Sequence, residues 1–236
     1  TLVSDSSQFL SLFKEQKSVA IKVTSIMPSR TAAAVVWGIS DPQLWLTNLD
    51  AYLNKNASGP DEIKRNAGYR KYFSGWIGNE ISLIVTQPVS AGNDNHYFTA
   101  ISVKNEAVCK KQLSDLSATV PGAANAEESY NGYAIRYIPV QDVLPAVFGP
   151  LFGRMNRCYY TIINGYFLAS NQVSSLRGYI NDIKTNNLLN SDPRFSSLVS
   201  SVPQQGSLFF YGSIPQSEKI FRSVAAPQWV SWLAKY

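Results

Sequence analysis

Apolar residues recur at helical spacing behind two matching start signals. Asp41-Pro42 precedes Trp45, Leu49, Tyr52 and Leu53, and Asp192-Pro193 precedes Phe195, Leu198, Val199 and Val202. In each, the Asp carboxylate is placed to accept the first-turn amides. Pro takes the first helical position, where an N–H would have no intrahelical partner. Asp5 with Gln8 reads as a capping box ahead of Phe9, Leu12 and Phe13. Helices are also predicted over 61–76, 105–117 and 171–184, the last through Val173, Leu176, Ile180 and Ile183.

Strand patterns fall between them. Residues 33–39 form a short Ala/Val/Trp run, and 80–87 alternate around Ile81, Leu83 and Val85. Residues 96–103 follow a polar loop with Gly92, Asn93, Asp94 and Asn95, so these two strands read as a hairpin. Residues 133–139 alternate through Ile135 and Tyr137, and 207–213 form a last strand. Runs 158–163 and 166–170 flank Asn164-Gly165. An Asn-Gly pair between such runs is a strong hairpin signal, because a type I′ turn needs two positive φ angles.

Hairpins alternating with helices predict an α+β fold, with hairpin-rich antiparallel or mixed sheets and helices packed on one side. A doubly wound parallel sheet would need a crossover helix between every strand pair. The hairpin-then-helix unit at 80–117 returns at 158–184, which points to a degenerate internal duplication. Residues 118–132, with Pro121-Gly122 and Glu127-Glu128, read as loop. That loop divides the chain into two closely packed halves, 1–120 and 121–236, within what is readable as a single domain.

Composition adds a compartment. Hydrophobic residues make up 45% of the 236 residues, enough for a sizeable core. Charged residues are only 16%, against about 25% in a typical soluble domain. A surface of Ser, Asn, Gln and Thr is more common in envelope and secreted proteins than in cytosolic enzymes. The net charge of +5 is scattered in pairs such as Lys64-Arg65, Arg70-Lys71 and Lys110-Lys111, which read as solvated helix faces. No nucleic-acid-binding signature accompanies them, so no nucleic-acid partner is expected. Cys109 joins Leu113 and Leu116 in one helical stripe, and Cys158 alternates with Tyr160 and Ile162. Two buried thiols are the expected reading; a disulfide stays open.

Three segments share one further pattern: Ile26-Met27-Pro28-Ser29 running into 31–39 and Asp41-Pro42, the strand 97–103, and 164–170. In this order the chain resembles an uncharacterised family of bacterial envelope proteins, a domain of unknown function. The resemblance covers most of the chain. It implies a large extracytoplasmic α+β region behind an N-terminal membrane anchor, and it supplies no catalytic residues. The chain has no run of 18 apolar residues, so membrane attachment is expected only through an anchor outside it. Thr1-Leu2-Val3 opens inside a helix-like segment, and Trp229, Trp232, Leu233 and Tyr236 share helical spacing at the other end. Both ends predict a piece of a longer protein. The last stripe is expected to pack against missing parts of the same polypeptide, and the partners are those parts or another envelope protein.

The search for chemistry yields no catalytic, cofactor-binding or metal-ligating residues. His96 is the only histidine, so any Ser-His-Asp or Cys-His mechanism would have to use it, and a site with several His ligands is impossible. It stands at a strand start beside a polar turn. Ser11 and Lys14 match a Ser-x-x-Lys spacing without its partner motifs. Glu127, Glu128, Asp142, Asp182 and Asp192 are available for acid–base work, which needs two of them in one cleft; capping accounts for Asp142 and Asp192. Asn93-Asp94-Asn95 lacks the ligand order of a calcium loop. Tyr130, Tyr133, Tyr137, Tyr159, Tyr160 and Tyr166, with Trp37, Trp45 and Trp76, would stack on sugars or anchor partners if exposed, and read as core otherwise. The expected role is that of a non-catalytic extracytoplasmic interaction or structural domain. A glycan- or peptide-binding module and an unrecognised hydrolase are the alternatives.

Overall fold

The computed structural model describes residues 8–57, 59–87, 96–122 and 127–217. Asp5, the loop 92–95 and the stripe from Trp229 to Tyr236 therefore lie outside the described residues. In chain order the strands are β1 (Val19–Ala20), β2 (Thr31–Gly38), β3 (Ile77–Thr86), β4 (Tyr97–Val103), β5 (Glu127–Tyr130), β6 (Tyr133–Ile138), β7 (Cys158–Ile163), β8 (Tyr166–Ser170), β9 (Gln205–Gly206) and β10 (Leu208–Gly212). The helices are α1 (Pro42–Asn56), α2 (Pro60–Arg70), α3 (Glu106–Ser117), α4 (Val143–Phe148), α5 (Val173–Lys184) and α6 (Pro193–Ser200). The fold is α+β. Eight strands form one antiparallel sheet in the order β10-β2-β3-β4-β8-β7-β6-β5, and β1 pairs with β9 in a separate small ribbon.

The start signals act as their chemistry requires. Asp41 accepts from the amides of Gln43 and Leu44, and Asp192 from that of Arg194. Asn164 (φ 49°) and Gly165 (φ 79°) make the turn between β7 and β8. A second Asn-Gly pair, Asn131 (φ 48°) and Gly132 (φ 83°), turns β5 into β6. Residues 127–130 are thus strand where the sequence reads as loop. The overlooked signal was this dipeptide, masked by a flanking run with little apolar content. The helix expected over 61–76 stops at Arg70 and continues as turns. There the Trp76 indole donates to the Tyr72 carbonyl, and Phe73 and Trp76 enter the core.

The repeat extends beyond the hairpin and its helix. β2, two helices, β3, β4 and α3 match β6, one helix, β7, β8 and α5 in order, and the two runs meet where β4 pairs with β8. Residues on both sides of position 120 therefore build one sheet.

The helices do not keep to one side. One face carries Trp37, Ile81, Ile101 and Phe167 under α1, α3 and α4; the other carries Val36, Ile84, Phe98 and Leu168 under α5 and α6. All five residues of β8 are buried, so a central strand of this sheet needs apolar cover on both faces. That demand splits the helices, and it also explains why Tyr166–Ser170 reads as a continuous run rather than an alternating one. The stripes follow: Cys109, Leu113 and Leu116 of α3 are fully buried on the first face, and Leu176, Tyr179 and Ile180 of α5 on the second.

Two glycine substitutions are expected to act with opposite signs. Gly165→Ala forces a side chain into a left-handed turn position and should cost about 1–2 kcal/mol. Gly68→Ala, in an exposed stretch of α2 with open space around it, should gain about 0.5–1 kcal/mol. Urea unfolding of both variants measures the pair.

Candidate functional site

Most of the candidates for chemistry have structural partners. Glu127 pairs with Arg136 at 2.7 Å and Glu128 with Arg177 at 2.6 Å. Asp182 accepts from Arg30 at 2.8 Å. Asp192 caps α6 and is held below the usual carboxylate range by the Arg194 guanidinium. Four carboxylates are thus engaged by four different arginines. Asp142 is exposed at φ 55° and makes no side-chain cap, so capping does not account for it. His96 is half-buried at the entry to β4, its ring stacked on Tyr97 with centroids 5.7 Å apart. Ser11 is buried, whereas Lys14 is exposed beside Glu15. Among the described residues no cluster of His, Cys, Asp and Glu is arranged to hold a metal.

Of the basic pairs, Lys64-Arg65 and Lys110-Lys111 lie on solvated faces, the latter bonded to Glu106 and Asp115 one turn away. Arg70 departs from that reading: it is buried and ion-paired with Asp50. Cys109 and Cys158 are free and buried. Burial pushes the Cys109 thiol up to about 12 and the Cys158 thiol higher still. Trp37, Trp45, Trp76, Tyr160 and Tyr166 are core residues, while Tyr130, Tyr133, Tyr137 and Tyr159 are half-buried.

A buried polar centre escaped the sequence reading. Glu80 of β3 is 3% exposed. Its Oε1 accepts from the amides of Lys22 (2.5 Å) and Val23 (3.1 Å), and its Oε2 from the Tyr166 hydroxyl (2.5 Å). A carboxylate taken out of water survives only with such donors. These bonds pin segment 22–23 to β3 and β8, which makes the centre structural. Its one signal in the chain is an acidic residue in phase with Ser82 and Ile84, on the face buried by α5.

The remaining feature is a border. Among the described residues the exposed large apolar side chains are Leu10, Leu151, Leu198, Val202, Phe210 and Ile214; Leu198 and Val202 lie in α6 and the turn after it, Phe210 and Ile214 in β10 and just beyond it. An open groove of about 1120 Å³ runs there, lined by Phe195, Val199 and Val202 on one wall and Leu208, Phe209 and Phe210 on the other. Among the described residues Lys22 is its one charged lining residue. The Phe195 and Tyr211 rings meet edge to face at 5.5 Å and hold α6 against β10.

The backbone of this border is also open. Gly38 donates to the Ser207 carbonyl and Ser213 to that of Ala32. In an antiparallel ladder bonded pairs alternate, so Phe209 and Tyr211 bond inward to β2. The N–H and C=O groups of Leu208, Phe210 and Gly212 then point away from the sheet, and no described strand pairs with them. The opposite edge is different. β5 carries Glu127 and Glu128, whereas β10 reads Leu-Phe-Phe-Tyr-Gly without a charge. Charges on an edge strand prevent strand addition. Among the described residues one edge of the sheet carries charges and the other does not.

The buried phenols make alkaline stability a test of this packing. Burial raises Tyr160, Tyr166 and Tyr179 above the ordinary phenol value; at Tyr166 the Glu80 carboxylate adds to it. Unfolded phenols ionise near pH 10, so the stability these groups contribute is intact below about pH 10 and is lost as pH rises further. Absorbance titration should show a late phenolate fraction that appears only with unfolding. Tyr166→Phe, which leaves Glu80 Oε2 buried without its donor, should cost about 1–3 kcal/mol at neutral pH, measured by urea unfolding.

No curated protein and no solved structure matches this chain. Among the described residues no helix is long and apolar enough to cross a membrane. One family model does match, over residues 63–231, a span from within α2 past β10 that includes the β4–β8 junction and the α6–β10 border but not β2. The chain accordingly belongs to the family described as protein of unknown function (DUF3352).

Proposed function

We propose that this chain is a non-catalytic, extracytoplasmic domain of a larger bacterial envelope protein, and that it binds protein through the border of β10 and α6. The observation that carries the reading is the apolar groove between α6 and β10, lined by Val202 and Phe210 among others, beside a strand edge that no described strand pairs with. Apolar surface of that kind is costly in water and is characteristic of interaction sites. An open edge with adjoining apolar pockets is the geometry of strand addition, in which main-chain bonds give affinity and side-chain pockets give selectivity. The low charge content and the resemblance to envelope proteins support the compartment. Attachment to the membrane through a segment outside these 236 residues belongs to the same reading. The aromatic residues that a glycan-binding surface would use are core or half-buried, and four of the carboxylates a hydrolase would use are tied to arginines.

Photo-crosslinking in cells tests this. A benzophenone side chain at position 198 or 202 should give protein adducts, and one at 111, exposed on α3 beside β6, should not. Adducts at all three positions alike, or at none, would sink the assignment of this border.

A further inference from the structure

The open edge has a symmetry of its own. Its outward backbone groups belong to Leu208, Phe210 and Gly212, a set centred on Phe210. Such a set is complementary to a copy of itself running the other way. We propose that β10 is a homodimer interface, in which β10 of one protomer pairs antiparallel with β10 of a second copy about a two-fold axis through Phe210. This rests on the reading of the border as a protein-binding surface and names the partner.

In that arrangement Phe210 faces the partner's Phe210, and Leu208 faces the partner's Gly212. Each of these bonded pairs exchanges two hydrogen bonds, and every outward group of the strand is used. Side chains directly opposite in an antiparallel pair lie on the same face, so the two Phe210 rings form a cross-strand aromatic pair. Phe210 is 67% exposed and its β2 neighbour, Val35, is half-buried, as is Leu83 next in the row on β3. Pairing joins the row Leu83–Val35–Phe210 to its copy and covers the ring that is otherwise in water.

Charge selects the same partner. The protein carries +5, so two copies repel at long range, yet the strand is neutral and, among the described residues, Lys22 is the one charge lining its groove. The neighbouring Arg194 is already bonded to Asp192 at 2.9 Å. Like charges therefore do not meet across the axis. Self-pairing at β5 would instead bring the acidic residues Glu127 and Glu128 of two copies together. Area sets a further requirement: a stable interface needs roughly 800 Å² per partner, more than one short strand presents, so the contact must reach beyond β10. Leu198 and Val202, one helical turn apart on the side of α6 and its following loop, extend the contact beyond the strand.

Sedimentation velocity of the whole chain from about 1 to 100 µM tests the proposal, with amide exchange at Leu208, Phe210 and Gly212. The expected result is a monomer–dimer equilibrium in which protection of those three amides grows with concentration. Phe210→Lys should weaken the dimer at least tenfold while leaving the dilute-solution melting temperature unchanged, and Glu128→Ala should leave the dimer intact. A second disruptive variant, Leu198→Lys, should weaken it too. A monomer throughout the range overturns the proposal, as does a dimer indifferent to Phe210→Lys. Protection of the three amides in a monomer at every concentration also overturns it, because the edge is then covered within the chain. If dimerisation fails while positions 198 and 202 still crosslink to another protein, the interaction reading stands and only the partner is wrong; if crosslinking fails as well, both fall.

Discussion

Phe98 through Ser102 of β4 lie opposite Tyr166 through Ser170 of β8, and this antiparallel pairing joins the two repeats into one sheet. β8 is buried along its whole length, so both faces beside it must be apolar and both must be covered. From that requirement follow the splitting of the helices, the two cores on either side of the sheet, and the placement of large rings such as Trp76 and Phe167 against one face and Phe98 and Tyr179 against the other. At roughly 1.5–3 kcal/mol for each large apolar side chain removed from water, these two layers supply most of the driving force for folding.

Glu80 shows how the same junction tolerates a charge. The carboxylate sits on the α5 face and is bonded to two amides and one phenol. The amides come from the segment that leads into β2, and the phenol comes from β8. One side chain thereby ties three distant parts of the chain, and removing any partner leaves a buried polar group whose desolvation is no longer offset.

Among the described residues the two edges of the sheet differ in charge. β5 ends the sheet with glutamates held by arginines of β6 and α5, whereas β10 ends it with an uncharged aromatic strand. An edge of the second kind is a hazard unless something pairs with it. The border therefore ties the physical peculiarity of the fold to its proposed role.

Much of the architecture was legible in the chain. Asp-Pro starts, the Asn164-Gly165 turn and the apolar periods gave most helices, the hairpins and the duplicated unit, because those signals act over a few residues. Residues 127–130 were not, since β5 is short and polar and gains its order from β6. The burial of Arg70, the centre at Glu80 and the distribution of helices over two faces were also out of reach, for they depend on which strands become neighbours. The border was hidden for the same reason: an uncharged Leu-Phe-Phe-Tyr-Gly run reads alike in the middle of a sheet and at its edge. Local sequence determined the elements and their apolar faces, through backbone preferences and side-chain spacing. Tertiary structure alone decided which strands end the sheet among the described residues, because an edge is a property of the whole sheet's order and not of any one segment.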